Sequence, residues 1–140
     1  VLCGLIDLFQ GENMKLSFVN TAEAPKPIGP YAQAVAAGNF LFTSGQIAVD
    51  PATGQIKDTS IEEQTKLILK NLQAILKAKG AAFKDVTAAT IYLTDLKDFQ
   101  TVNALYAEAM GTHTPARTTV EVSRLPLGAK IEIALIAYLG

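Results

Sequence analysis

The sequence predicts an α+β domain in which two helices pack on one face of a single mixed six-stranded sheet. Three observations carry this expectation. Segments with a period of two and segments with a helical period follow one another in the order β-β-β-α-β-α-β-β. The connections between them are short, with no repeat or low-complexity tract. The last strand, residues 130–139, is apolar on both sides: Ile131, Ile133, Leu135 and Leu139 point one way, Glu132, Ala134, Ile136 and Tyr138 the other. Two helices on one face leave the other face uncovered, so a second copy of the chain is expected to cover it, making an obligate homo-oligomer.

Each element has a local reason. Residues 15–19 alternate weakly and read as the first strand. Pro25, Pro27 and Pro30 hold a loop too brief to divide two domains. Residues 34–37 and 40–46 flank Gly38-Asn39, a pair that tolerates positive φ and closes a tight hairpin. Asp50-Pro51-Ala52-Thr53-Gly54 is a turn cluster. Residues 60–79 form the clearest helix. Ser60 with Glu63 makes a capping box. Ile61, Ile68, Leu72, Ile75 and Lys79 mark one side, widened by Leu69 and Leu76. Glu62 and Lys66 are spaced to pair, and Gly80 suits a left-handed C-terminal position. Residues 86–93 are β-rich. Asp98 is placed to cap a second helix reaching about Met110, with Phe99, Val102, Tyr106 and Ala109 buried. Residues 116–122 alternate as the fifth strand.

Composition bounds the function. A chain of 140 residues fits one domain, residues 14–140, and 49% hydrophobic with 18% charged residues is a globular mix. Net charge is −1 without a basic run, so the chain lacks an electrostatic footprint for nucleic acid or an anionic membrane. No apolar run approaches the roughly 20 residues of a membrane span. Residues 1–13 precede Met14. They lack a basic start and are interrupted by Asp7, so the expectation is an extension without a functional role and not a leader peptide. Cys3 is the only cysteine, which excludes an intrachain disulfide and a cysteine-based metal site and suits a reducing, cytoplasmic setting. His113 is the only histidine. A Ser/His/Asp triad would have to use it, and in its loop before Pro115 it reads as a spare side chain.

Two charged residues stand out. Alternation places Arg117, Thr119 and Glu121 on one face of the fifth strand. A guanidinium fork matches a carboxylate, so Arg117 could anchor a substrate acid, or could simply pair with Glu121. Glu132 sits among apolar neighbours, where a carboxylate must be paired, hydrogen-bonded or protonated. It could hold and activate water, or serve as a structural partner for a cation. Around these stand weaker candidates. Tyr31 follows the rigid Gly29-Pro30 turn. Ser44-Gly45 ends a strand with a glycine that permits close backbone approach. Asn103 lies one turn before Tyr106 on the same side of the second helix.

Together these pieces resemble the Rid (YjgF) family of reactive-intermediate deaminases, also labelled L-PSP endoribonucleases. The stretches that carry the resemblance are Ile28-Gly29-Pro30-Tyr31-Ala32-Gln33-Ala34, Phe42-Thr43-Ser44-Gly45-Gln46-Ile47, Val102-Asn103-Ala104-Leu105-Tyr106, Pro115-Ala116-Arg117-Thr118-Thr119-Val120-Glu121-Val122, and Leu125-Pro126 with Lys130-Ile131-Glu132-Ile133. They fall in the family's order and spacing. The resemblance implies a chorismate-mutase-like fold, a homotrimer whose sheets form a central barrel, and active sites between subunits. It implies hydrolysis of 2-imino or enamine acids, such as 2-iminobutanoate and 2-iminopropanoate, to 2-oxo acids and ammonia. Arg117 would hold the carboxylate and Glu132 would position water. Tyr31, Ser44, Gly45, Asn103 and backbone groups at Thr118 and Thr119 would line the pocket, with no metal or cofactor.

Three departures qualify the likeness. Thr119 stands where many relatives have cysteine, so a thiol nucleophile is not available there. The loop from Tyr106 to Pro115 is the shorter version, and Ala134 replaces a common acidic residue. Two other readings compete with the deaminase. One is an endoribonuclease acting on mRNA, as the older label suggests. The other is a non-enzymatic trimer that binds small carboxylates as a sensor or chaperone.

Overall fold

A computed structural model describes residues 15–140. The expected extension at 1–13, with Cys3, lies outside them. The described chain forms β1 (Ser17–Val19), β2 (Ala34–Ala37), β3 (Phe40–Thr43), α1 (Ile61–Lys77), β4 (Val86–Leu93), α2 (Phe99–Met110), β5 (Ala116–Glu121) and β6 (Ile131–Tyr138). The strands make one sheet in the order β1-β2-β3-β6-β4-β5. Only β4 and β5 are parallel, joined through α2, and β6 is inserted between β3 and β4. This is the mixed six-stranded α+β architecture expected above.

Period-two burial sets the two faces. On β6, Ile131, Ile133, Leu135 and Ala137 are buried; in register on β4 lie Leu93, Ile91 and Ala89. They pack with Leu41 of β3 and with Ile68, Leu72, Ile75 and Leu76 of α1 in one core. Each buried leucine or isoleucine contributes about 2 kcal/mol by leaving water. The other face carries Phe18, Phe40, Phe42 and Tyr138, all exposed.

The helix ends show where local reading succeeds and where it slips. Ser60 caps α1, its Oγ accepting from Glu63 N–H at 3.2 Å, and Gly80 takes φ +70 beyond the last turn. Lys79 falls past the helix, not on its buried side, and its ammonium reaches the Ser17 hydroxyl of β1. Lys66 pairs with Glu63 at 3.7 Å, not Glu62, because three-residue and four-residue neighbours are both within reach on a helix. Asp98 does not cap α2. Its backbone is already helical (φ −79, ψ −5), continuing the 3-10 turn Leu96–Asp98, so its carboxylate lacks the extended geometry a cap needs. Asp95 caps that turn instead, accepting from Lys97 N–H at 2.9 Å. Val102, Tyr106 and Met110 are the buried face of α2, while Phe99, expected inside, is 37% exposed.

Strand bounds also differ: β5 ends at Glu121 and not at 122, and β6 spans Ile131–Tyr138 and not 130–139. β1 begins at Ser17 and not at 15, and β3 stops at Thr43 instead of running to 46. Thr43 Oγ1 accepts the Leu135 N–H at 2.9 Å, and pairing resumes at Gln46, which exchanges both backbone bonds with Ile133. Ser44 and Gly45 lie in the interruption.

Candidate active site

The interruption in β3 opens onto a pocket of about 280 Å³ lined by Lys26, Tyr31, Gln33, Ser44, Gly45, Gln46 and Glu132, with Pro25, Ile28, Ile47, Val49 and Pro126 as apolar walls. Glu132 comes from β6 on the face away from the helices. Its carboxylate lies directly over Gly45: a Cβ there would sit 1.9 Å from Oε1 and 2.8 Å from the carboxyl carbon. Any larger residue at position 45 would push the Glu132 carboxylate out of this place, so glycine here is a matter of space; its φ is not in the left-handed region. Among the described residues the carboxylate has no ion pair, and desolvation raises its pKa above the usual glutamate value. The structural alternative, a partner cation for Glu132, is not realised within the described chain.

The other pocket candidates are held by local bonds. Ser44 Oγ donates to Ala32 O at 2.6 Å, leaving its lone pairs toward the pocket as acceptors only. Tyr31 is exposed; its phenolic oxygen accepts from Ile28 N–H at 3.2 Å, and its ring packs over Gly29. Gln33 is a residue that the sequence reading quoted without assigning a role. It is 1% exposed, and its carboxamide joins Thr21, Ala24 and Pro25, fixing the loop that forms one wall. His113 is not a spare side chain: its Nε2 lies 2.6 Å from Val86 O, tying the loop after α2 to the start of β4.

Arg117 is elsewhere. It is in register with Ala89 and through it with Leu135, both buried under the helices, so it occupies the helix-bearing face at the β5 edge. Glu132 is in register with Tyr92 and Val120 on the opposite face. Two strands and three positions separate them, roughly 14 Å between Cα atoms. Arg117 Nη1 donates to Asn103 Oδ1 at 2.7 Å, and Cζ lies over the Phe99 and Tyr106 rings. The surface pair with Glu121 does not form; Glu121 Oε1 accepts from Leu96 N–H at 3.0 Å. Asn103 thus serves Arg117. Thr118 shares the Glu132 face, while Thr119 turns its Oγ1 inward, buried and without a hydrogen-bond partner among the described residues. The structure therefore gathers Tyr31, Ser44, Gly45 and Glu132 in one place and Arg117, Asn103 and Thr119 in another.

Five separate stretches in family register, on this sheet order, ask for comparison with known proteins. The family model described as Endoribonuclease L-PSP matches residues 21–139. The chain belongs to the endoribonuclease L-PSP, or Rid, family. Among its relatives, a RutC family protein of Pyrococcus horikoshii is 54% identical over 118 residues, 84% of this chain and 94% of that one. The human 2-iminobutanoate/2-iminopropanoate deaminase is 43% identical over 122 residues, covering 87% of this chain and 89% of the human protein. A crystal structure of TdcF from E. coli, solved with bound serine, superposes with a TM-score of 0.82 at 41% identity over 87% of this Rid chain and 98% of that one.

Proposed function

We propose that this Rid protein hydrolyses small 2-imino acids, and their enamine tautomers, to 2-oxo acids and ammonia, in a cleft shared between subunits of a homotrimer. The observation that carries the reading is Glu132: an unpaired, half-buried carboxylate set over a glycine in an apolar pocket. The deaminase names of relatives at 43–47% identity support it.

The chemistry follows from the groups present. A protonated imine is already an electrophile, so the reaction needs oriented water and a proton acceptor more than an activating group. Glu132 takes a proton from water as its oxygen bonds to the C=N carbon. The resulting carbinolamine carries a hydroxyl and an amino group on that carbon. Glu132 returns the proton to the amine and takes up the hydroxyl proton as the C–N bond breaks, so that the carbonyl forms and the departing ammonia carries that proton away as ammonium. Arg117 would fix the substrate carboxylate by a two-point contact, placing the imine carbon for attack. One protomer puts Arg117 and Glu132 on opposite faces of the sheet. A small acid cannot touch both, so the reading requires Arg117 from an adjoining copy. The RNA-cleaving reading draws on the family model's description as Endoribonuclease L-PSP, but the sole histidine is engaged with a backbone carbonyl and net charge is −1, so the chain offers it neither a second imidazole nor an excess of positive charge.

The test is to generate 2-iminobutanoate in situ from threonine with a dehydratase and follow 2-oxobutanoate release. Wild-type protein should accelerate it. Arg117→Ala should lose both 2-oxobutanoate binding and turnover. Glu132→Gln should keep binding while kcat falls by roughly 10²-fold or more. Binding of 2-oxobutanoate without any acceleration would replace the enzyme with a carboxylate sensor.

A further inference from the structure

Arg117 lies on an exposed edge strand, yet its guanidinium is confined on several sides. Cζ is 5.7 Å from the Phe99 ring centroid and 5.0 Å from that of Tyr106, and Nη1 donates to Asn103 Oδ1 at 2.7 Å. The three partners stand at i, i+4 and i+7 of α2, a single stripe of the helix. Core packing accounts for Tyr106, which belongs to the core cluster, but not for Phe99 or Asn103. Phe99 stays 37% exposed, although large and apolar. Tyr106 is 6% exposed, and its hydroxyl has no hydrogen-bond partner, so its ring and not its hydroxyl makes the contact.

The choice of aromatic neighbours has a physical consequence. A carboxylate partner would restrain the guanidinium equally well, but it would occupy the fork and cancel the charge. A ring face attracts the cation without consuming an N–H donor. Asn103 takes one Nη1 proton, which leaves the Nε–Nη2 edge as a complete two-donor fork. Restraining a flexible arginine beforehand also removes ordering entropy from the binding step.

We infer that Phe99 and Tyr106 are positioning residues that clamp the Arg117 guanidinium with Asn103 and leave its Nε–Nη2 edge as the fork for a substrate carboxylate. The inference rests on the proposed role of Arg117 as the carboxylate anchor. It distinguishes the rings from simple packing, because the effect depends on the π face and not on apolar volume.

The full-length protein in its native assembly carries the test, with 2-oxobutanoate as the binding probe and the ¹⁵N relaxation of the Arg117 side chain, measured without ligand, as the second readout. Phe99→Leu should raise Kd and KM by about 3–10-fold with kcat within about twofold, and should increase Arg117 motion. Phe99→Trp, with a stronger π face, should hold or tighten binding and keep Arg117 ordered. Unaltered Kd and unaltered Arg117 motion in Phe99→Leu would overturn the clamp, as would a Trp variant that weakens binding as much as Leu does. If the wild type binds no 2-oxobutanoate, the anchor role itself fails, while the relaxation data still decide whether the rings order Arg117.

Discussion

Glu132 governs the pH behaviour of the proposed reaction. Desolvation raises its pKa, so the group stays protonated to higher pH than an ordinary glutamate. As a base it must be ionised, and kcat/KM should therefore fall on the acid side with an apparent pKa above the usual glutamate range. That limb should vanish from the residual activity of Glu132→Gln. Stability runs the other way. With the folded pKa above the unfolded value, the folded chain binds more protons within that window, so this group's contribution is full below the usual carboxylate range and is lost as pH rises through the raised pKa. Denaturation curves of wild type and Glu132→Gln across pH 4 to 8 would show it as a gain for the variant toward neutral pH; equal curves would mean that the carboxylate is solvated. The acidic residue in an apolar strand was legible in the sequence. The carboxylate's contact with Gly45 was not, because it joins residues 87 positions apart and depends on the interruption in β3.

At the scale of elements, the pocket wall depends on Gln33. Its Nε2 donates to Thr21 O at 3.0 Å, Pro25 O at 2.9 Å and Ala24 O at 3.3 Å, and its Oε1 accepts from Thr21 N–H at 2.8 Å. One carboxamide so replaces the ladder that the three-proline loop cannot form for itself. Gln33→Leu preserves bulk but strands these buried backbone groups, at a cost of roughly 2–4 kcal/mol. Chemical denaturation would measure that loss, and the Thr21 amide should exchange its hydrogen much faster; an unchanged Thr21 amide would show that the loop is held by other means. Sequence periodicity is silent about such a residue. A glutamine at the mouth of a strand reads as polar surface until the loop folds back over it.

At the scale of the whole molecule, one face of the sheet carries exposed aromatic side chains among the described residues. Phe18, Phe42 and Tyr138 are 64%, 45% and 49% exposed, and the Phe40 and Tyr138 rings sit 5.5 Å apart on the same side. An apolar area of this kind on one side of a sheet is the surface that the proposed trimer would use. The proposed trimer covers it with neighbouring sheets, and the same association would bring an adjoining copy's Arg117 toward the Glu132 pocket. Phe42→Glu should dissociate the assembly to folded monomers and abolish turnover together, read by light scattering, circular dichroism and the imine assay. A folded monomer with full activity would remove the shared cleft.

The amino-acid sequence by itself determined the α+β class, the presence of α1 with its Ser60 cap and Gly80 end, the β6 alternation and the family. All of these are carried by local periodicity, backbone conformational preference and motif spacing. The same local rules misplaced Lys79, Asp98 and Phe99, because each depends on what the chain does in the adjoining turn or across the sheet. Only the tertiary structure decided that Arg117 and Glu132 face opposite sides. Alternation sorts residues within one strand, but which side of a strand meets the helices is settled by long-range packing of β4, β5 and β6 beneath α1 and α2.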